Sequence, residues 1–282
     1  VKRSVAAITD IYQNSILKDS SRNSFMIKRM EDLADRTVWA MGEQLKCGDF
    51  VPFVFEHKFN MEVGDGDRKQ LMSGTIDRVD ICENGTDVYV RIIDYKTGKK
   101  DFNIVKTYYG IDIQLMVYME AAMKLVAKMR PGKNVIPAGV FYYNISDPIV
   151  SATTESAEEI EDKIKGELRL KGMVNSDKDI AEKMDNTEGT SLNIPVSRKA
   201  DGGFDSRRSK VMNTEQFNIL GRFVDVRAID TADRIAGGDI RRSPYKDGQF
   251  SSCDRCPYGA VCGFSVDLPG CNYRKLKKFD DE

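Results

Sequence analysis

The sequence predicts an α/β fold, and three observations support that prediction. Two β-like runs, residues 71–82 and 87–97, are separated by Glu-Asn-Gly-Thr, and Asn-Gly between such runs is a strong hairpin signal. Apolar residues recur at helical spacing both before this hairpin and after it. A further β-like run follows at residues 135–146, so strands and helices alternate along the chain.

The elements follow in a definite order. Apolar residues at helical spacing predict helices within residues 1–47. Residues 50–63 are rich in aromatic and β-branched side chains and predict a strand that precedes the hairpin. After the hairpin, a helical pattern extends from Ile111 to Met129, where Arg-Pro-Gly stops it.

The second half of the chain is more polar. Residues 151–212 are charged and turn-rich, with helical pieces, and residues 191–210 predict an exposed hairpin. Residues 213–238 predict a long helix, because Asn213 and Gln216 have capping-box spacing and two glycines follow the last turn.

Composition excludes several classes of protein. The chain has 282 residues, of which 41% are hydrophobic and 31% charged, enough to bury a core of its own. Charged residues interrupt every apolar run before bilayer length, and the N-terminal residues lack the apolar core of a signal peptide. We therefore expect a cytoplasmic protein. The net charge of −1 gives no nucleic-acid signature, so any such surface must come from local clusters.

The hairpin predicts where three polar side chains meet. If Asn84 and Gly85 form the loop, paired residues have numbers that sum to 169, and Asp77 faces Ile92. Side chains alternate between the faces of a sheet, so one mainly aliphatic face ends in Asp77, Asp94 and Lys96. The two aspartates are then diagonal neighbours, about 7–8 Å apart.

Two carboxylates and a lysine at the edge of an apolar face have two interpretations. They form a surface ion pair at a strand end, which is common and weakly stabilising, or they share a divalent cation. Mg²⁺, or Mn²⁺ in its place, prefers oxygen ligands of this kind and supports phosphodiester hydrolysis. A neighbouring lysine would orient or deprotonate the attacking water and offset developing charge.

The order of these motifs resembles the RecB-type branch of the PD-(D/E)XK nucleases. The matching segments are GTIDRVD, IIDYKTG and GIDIQLMVY, in which Asp77, Asp94 and Lys96 fit the catalytic pattern. Gln114 and Tyr118 fit its Q-x-x-x-Y helix and lie on one helix face. The resemblance implies a restriction-endonuclease-like core, a central mixed sheet flanked by helices. It also implies that the backbone carbonyl of Tyr95 binds the metal and that Glu56 is an auxiliary acid.

Four of the six cysteines fall within nineteen residues near the C-terminus. Their spacing is Cys253-x2-Cys256-x5-Cys262-x8-Cys271, and such density in an intracellular chain indicates a metal or cluster site. From the residues alone, a zinc site with four cysteine ligands and an iron–sulfur cluster both stay open.

This cysteine pattern after a RecB-type core resembles the C-terminal region of the AddB family, over nearly the whole chain. That resemblance implies a [4Fe–4S] cluster held by Cys253, Cys256 and Cys262, with Cys271 as a candidate extra ligand. It implies a DNA substrate, double-strand-break processing, exonuclease activity and an AddA partner subunit. The family's upstream cysteine and its G-x-x-x-H histidine have no counterpart here, so we expect a C-terminal fragment of a longer protein.

On this resemblance we divide the chain into three parts. Residues 1–150 form the N-terminal helices and nuclease core, residues 151–245 a mainly polar insertion with C-terminal helices, and residues 246–282 the cysteine-rich segment. Lys99 and Lys100, next to the predicted site, are candidate DNA-binding residues. The alternatives are a CRISPR-associated RecB-type exonuclease with a similar cluster, a non-catalytic module that binds DNA ends, and a zinc-stapled structural domain.

Overall fold

The computed structural model describes residues 1–12, 20–63, 69–151 and 156–277. Its first elements are helices α1 (Lys2–Ile11) and α2 (Ser21–Lys46), where helices are predicted. Ser20 caps α2 by accepting a hydrogen bond from the backbone N–H of Asn23. Residues 13–19, within the same predicted helical segment, lie outside the described residues.

The strands that follow agree with the β-like runs of the sequence. They are β1 (Val51–Val63), β2 (Gln70–Asn84) and β3 (Asp87–Lys96). A short helix α3 (Ile104–Tyr108) then precedes α4 (Gln114–Met129), which begins three residues later than the predicted Ile111. Strand β4 (Asn134–Asn144) completes a parallel crossover with β3.

Residues 156–245 contribute to the same sheet. They form α5 (Ala157–Glu167), β5 (Lys171–Asn175), α6 (Lys178–Met184), β6 (Val211–Met212) and α7 (Thr214–Ala236). The capping box predicted at Asn213 and Gln216 is confirmed, because both of its hydrogen bonds are present. The last elements are β7 (Tyr245–Asp247), β8 (Phe250–Ser251), a 3₁₀-helix at Ser252–Arg255, α8 (Gly259–Cys262) and β9 (Arg274–Lys275).

The exposed hairpin predicted at residues 191–210 is wrong. Only isolated bridges, Thr190 with Ser197 and Arg198 with Phe204, occur there among the described residues. Ile194 and Val196 are buried against the sheet. The part of the segment around these two residues is therefore a loop that packs on the sheet. This burial depends on contacts with residues that are distant in sequence, and a local sequence pattern cannot predict such contacts.

Strands β1 to β6 form a mixed sheet in the order β1-β2-β3-β4-β5-β6, and the last three described strands form a small second sheet in the order β8-β7-β9. In the first sheet, pairs β3–β4 and β5–β6 are parallel and the other neighbours are antiparallel. One face packs on α4 and α7, and the opposite face packs on α2, α6 and the loop after α6. The predicted α/β class and helix-flanked mixed sheet are confirmed. Within the described residues, no helix is both long and apolar enough to cross a bilayer.

Candidate active site

The hairpin between β2 and β3 sets two carboxylates opposite each other. The ladder pairs Arg78 with Ile93 and Asn84 with Asp87, and continuing it by one residue brings Asp77 opposite Asp94. The loop is therefore Gly85-Thr86, with Gly85 at φ +60°. The predicted register, in which Asp77 faces Ile92, is wrong by two positions. A shift of two does not by itself move side chains to the other face, but β2 does not alternate strictly, because Ile76 is buried in the same core cluster as Val79 and Ile81.

Asn84 explains the difference in register. It is predicted to lie in the loop, but its side-chain amide donates hydrogen bonds to the hydroxyl of Tyr89 (3.1 Å) and to Asp179 Oδ2 (2.9 Å). These contacts hold Asn84 in the strand, and Gly85 alone supplies the left-handed conformation that begins the turn. The two aspartates are consequently direct cross-strand neighbours, closer than the diagonal pair that the sequence predicts.

Asp77 and Asp94 have different environments. Asp77 Oδ2 accepts a hydrogen bond from the backbone N–H of Tyr95 at 2.7 Å. Asp94 is 2% exposed and forms an ion pair with Lys96 through Oδ2. That oxygen has no partner with hydrogen-bond geometry among the described residues. Burial raises the pKa of Asp94, Lys96 opposes the rise, and the negative charge of Asp77 adds to it.

A buried polar network lies beside this pair and is absent from the sequence-based prediction. Tyr142, the β4 neighbour of Asp94, donates its hydroxyl proton to Asp112 Oδ1 at 2.8 Å. Lys100 Nζ lies 3.1 Å from Asp112 Oδ2. The ammonium groups of Lys96 and Lys100 lie 5.7 and 5.5 Å from the centre of the Tyr142 ring, within range of cation–π attraction.

The electrostatics keep the Tyr142 phenol protonated. Burial raises its pKa, and the charge of Asp112 raises it further. One sequence signal could have indicated this network, since Asp112 is an acidic residue inside the otherwise apolar run that begins α4. The network braces the strand ends that carry Asp94 and Lys96.

The N-terminus of α4 contributes the next pair of side chains. Gln114 is its first residue, and its amide donates to the Tyr118 hydroxyl at 2.9 Å. The Tyr118 ring meets Phe59 edge to face, with ring centres 5.8 Å apart. Gly74 makes room for both rings, because a Cβ there would lie 2.8 Å from Phe59 and 3.4 Å from Tyr118. The space needed by these two rings therefore explains why the G-x-x-D motif has a glycine at this position.

Glu56 occupies an unusual backbone conformation. Its φ is +48°, the one positive value of a non-glycine among the described residues. The β1–β2 ladder pairs Phe55 with Arg78 and His57 with Ile76, so Glu56 lies across from Asp77. A side chain held in this region costs about 1–3 kcal/mol and is typical of functional sites. Glu56 is exposed and does not join the aspartates in a cluster of three.

Within the described part of the chain, no three His, Cys, Asp or Glu side chains are close enough to hold a metal ion. Two carboxylates nevertheless suit a hard divalent cation that keeps waters or phosphate oxygens as its other ligands. Asp94 Oδ2, which has an ion pair but no hydrogen bond among the described residues, is a buried acceptor of the kind such an ion satisfies. Asp77 and Asp94 therefore fit a divalent metal ion.

The cysteine-rich segment is built from short elements. Cys253 lies in the 3₁₀-helix, Cys256 follows it, and Cys262 ends α8. Cys256 is exposed, whereas Cys253, Cys262 and Cys271 are half-buried. Thiolates suit zinc or iron, but the described cysteines do not gather into a group of three. Their arrangement therefore does not assemble the cluster, which stays a prediction.

The two lysines predicted to bind DNA differ. Lys99 is exposed, while Lys100 is tied to Asp112 through its ammonium group. The backbone N–H of Lys100 donates to Asn144, and the Asn144 amide donates back to the Lys100 carbonyl. These bonds fix the segment that leaves β3 beside the aspartates.

Comparisons with known proteins agree with this geometry. A family model described as the PD-(D/E)XK nuclease superfamily matches residues 2–263. The chain is 36% identical to one subunit of an ATP-dependent helicase/deoxyribonuclease of Clostridium botulinum, over 95% of this chain and 24% of that protein. The subunits of the same name from Caldanaerobacter subterraneus and Lachnoclostridium phytofermentans are 35% and 34% identical, over 99% and 100% of this chain. The chain spans about a quarter of the length of these relatives.

Proposed function

The chain belongs to the PD-(D/E)XK nuclease superfamily, and on that premise we propose that it is the DNA-hydrolysing domain of an AddAB-type helicase–nuclease. The observation that supports this proposal is the proximity of three charged groups at the end of the hairpin: Lys96 pairs with Asp94, and the charge of Asp77 acts on Asp94. Nucleases of this superfamily generally use divalent metal ions, and the two carboxylates supply suitable ligands.

Each residue has a role in the proposed reaction. Asp77, Asp94 and the carbonyl of Tyr95 would hold Mg²⁺ or Mn²⁺. When bound, such an ion polarises the phosphodiester and lowers the pKa of a coordinated water. Lys96, already paired with Asp94, would shift to the attacking water, orient it and offset the charge that develops on the phosphate.

Gln114, Tyr118 and Glu56 would act around this centre. The Gln114 amide and the Tyr118 hydroxyl, which are bonded to each other, would hold a phosphate or a water at the site. Glu56, held in a strained conformation across from Asp77, is placed to serve as an auxiliary acid. Lys99 and Lys100 would contact phosphates of the DNA strand.

The substrate and partner follow from the relatives. Their name, which describes one subunit of a helicase/deoxyribonuclease, supports a DNA substrate and a companion subunit of the AddA type. We propose exonucleolytic processing of double-strand-break ends as the setting of the reaction. Cys253, Cys256 and Cys262 remain candidates for three ligands of a [4Fe–4S] cluster, with Cys271 as a substitute for a fourth. Elemental analysis of the purified protein tests this cluster. Iron together with acid-labile sulfide would support it, and stoichiometric zinc without iron would contradict it.

The function is tested by cleavage of end-labelled linear DNA with Mg²⁺ and with a chelator. We expect cleavage by the wild type that stops on chelation, and a loss of about 10²–10³-fold in Lys96→Met. Lys128→Met is the matched control, because Lys128 is an exposed lysine near the far end of α4 and its loss should leave the rate unchanged. Undiminished cleavage by Lys96→Met would overturn the proposal.

A further inference from the structure

A cavity of about 370 Å³ opens at the carboxyl ends of β3 and β4. Residues 97–101 and 144–146 line it, together with Glu167 and Lys171. Crevices at the carboxyl ends of parallel strands are common ligand sites in α/β proteins. This cavity begins where β3 delivers Asp94 and Lys96, so a molecule bound there continues directly from the candidate active site.

Lys171 lies in one row with the catalytic candidates. The ladders pair Asp94 with Tyr142 and Tyr142 with Lys171, and paired residues in a sheet share a face. Two strand spacings separate Asp94 from Lys171, about 10 Å between backbones. Tyr142, in the middle of this row, is fully buried. A single strand whose scissile phosphate sits at Asp94 would therefore reach Lys171 across the cavity lined by residues 97–101.

Gly172 makes this placement of Lys171 possible. A Cβ at Gly172 would lie 1.9 Å from the Val140 carbonyl oxygen, so only glycine permits β5 to approach β4 this closely. Because Phe141 pairs with Gly172, the close approach fixes the next pair, Tyr142 with Lys171. The Lys-Gly dipeptide thus sets the lysine beside the candidate active site.

The charges around Lys171 suit an anion. Lys171 is half-buried and has no ion-pair partner among the described residues. Burial lowers its pKa, the Arg169 guanidinium lowers it further, and the carboxylates of Asp101 and Glu167 oppose these effects. Asp101 is itself paired with Lys210. A phosphate in the cavity would relieve the crowding of positive charge.

We propose that this cavity is a phosphate subsite that holds, through Lys171 and Lys99, the DNA strand next to its scissile linkage. The inference rests on the proposed nuclease function and deepens it, because it assigns the strand a path from Asp94 towards β5. Lys171 is half-buried and fixed by its strand, so it contributes position as well as charge. Lys99 is exposed and adds a second, more mobile contact.

Binding in chelator, where no cleavage occurs, tests the subsite separately from catalysis. Fluorescence anisotropy of a labelled single-stranded oligonucleotide would compare the wild type with Lys171→Met, Lys171→Arg and the control Lys128→Met. We expect about tenfold weaker binding for Lys171→Met and a salt slope reduced by about 0.7. Lys171→Arg should recover most of the affinity, and Lys128→Met should bind like the wild type.

The position of the contact is tested with oligonucleotides that carry one neutral methylphosphonate each. In the wild type, we expect a neutral linkage beside the scissile position to weaken binding, and this penalty should vanish in Lys171→Met. Equal penalties in both proteins, or unchanged affinity of Lys171→Met, would overturn the subsite. Normal subsite binding by a wild type that does not cleave DNA would overturn the nuclease proposal and leave the subsite standing.

Discussion

Strands β2 and β3 carry charged side chains on both of their faces, and the two groups are built in opposite ways. Asp94 and Lys96 lie on the face covered by α4, and Asp77 lies close to Asp94. Arg78, Asp80 and Arg91 alternate with them and lie on the face covered by α2. The same short segments therefore supply two charge clusters only a sheet thickness apart.

The arginine cluster is fully paired. Asp80 accepts hydrogen bonds from Arg78 Nε at 2.6 Å, Arg78 Nη2 at 2.8 Å and Arg91 Nε at 2.9 Å. The Arg91 guanidinium also lies 4.8 Å from the centre of the Phe50 ring. Both oxygens of the buried carboxylate are used, which is the arrangement that allows buried charges to persist.

The aspartate cluster is not fully paired. Asp94 is equally buried but faces a second carboxylate, and its Oδ2 has an ion pair without a hydrogen bond. Burial raises the pKa of Asp94 because the protein supplies too little compensation for its charge. The contrast teaches that a saturated charge network stabilises the fold, while an unsaturated one is a candidate site for a ligand.

The substitution Asp94→Asn has the largest expected effect and tests the difference between the two clusters most directly. The substitution keeps the shape of the side chain but removes a metal-binding oxygen, so DNA cleavage should fall by about 10³-fold or more. Thermal unfolding in chelator should show a stability equal to or above that of the wild type. A clear loss of stability without metal would mean that Asp94 is structural, as Asp80 is.

Asp80→Asn should have the opposite pattern of effects, with a loss of stability and no change in cleavage rate. Removing the charge leaves two buried guanidinium groups uncompensated, and we expect a loss of about 3–5 kcal/mol in the free energy of unfolding. The folded fraction should keep its cleavage rate. Asp239→Asn is the matched control, because Asp239 also bridges two arginines but at the surface, and its unfolding curve should move far less. Equal effects of the two substitutions would remove the distinction drawn between the clusters.

The pH dependence of stability sharpens the comparison. The folded-state pKa of Asp94 is raised above its ordinary value of 3.8, so the folded protein binds the proton more tightly than the unfolded chain. The wild type should therefore gain stability relative to Asp94→Asn as the pH falls through that raised pKa. Urea unfolding between neutral pH and pH 4 measures this. A relative loss of stability over the same range would contradict the assigned sign.

Saturating Mg²⁺ provides the control for the pH series. A cation that binds the ionised carboxylate stabilises the wild type at neutral pH and should abolish or reverse the gain on acidification. Asp94→Asn should respond little to the ion.

The smallest expected effect is that of Gly74→Ala. Its Cβ would press on Phe59, 2.8 Å away, and displace the Tyr118 ring beside it, at a cost of about 1–3 kcal/mol. Cleavage should fall several-fold because Gln114 loses its partner. Gly42→Ala in α2, where nothing lies within 4 Å of the new Cβ, should be neutral or stabilising. If Gly74→Ala cleaves DNA as fast as the wild type, Tyr118 has no role in cleavage.

Much of the site could be predicted because its spacing is local. The period of two along β3 places Asp94 and Lys96 on one face, and the hairpin brings Asp77 close to them, which a register error of two does not undo. The roles given to these residues stay predictions. The sequence did not predict three further residues near the site, which are Asp112, Tyr142 and Lys171. They come close to it only because β4 pairs with β3 in parallel and β5 is added next to β4.

The sequence by itself determined the alternation of helices and strands, the face of the residues in β3 and the family to which the chain belongs. These depend on local periodicity and on motifs within a few tens of residues. Only the tertiary structure decided that residues 171–175 extend the sheet, that residues 191–197 pack inward, and that Asp80 is saturated with hydrogen bonds while Asp94 is not. Those outcomes depend on contacts between distant segments and on the burial that they create, which no local pattern encodes.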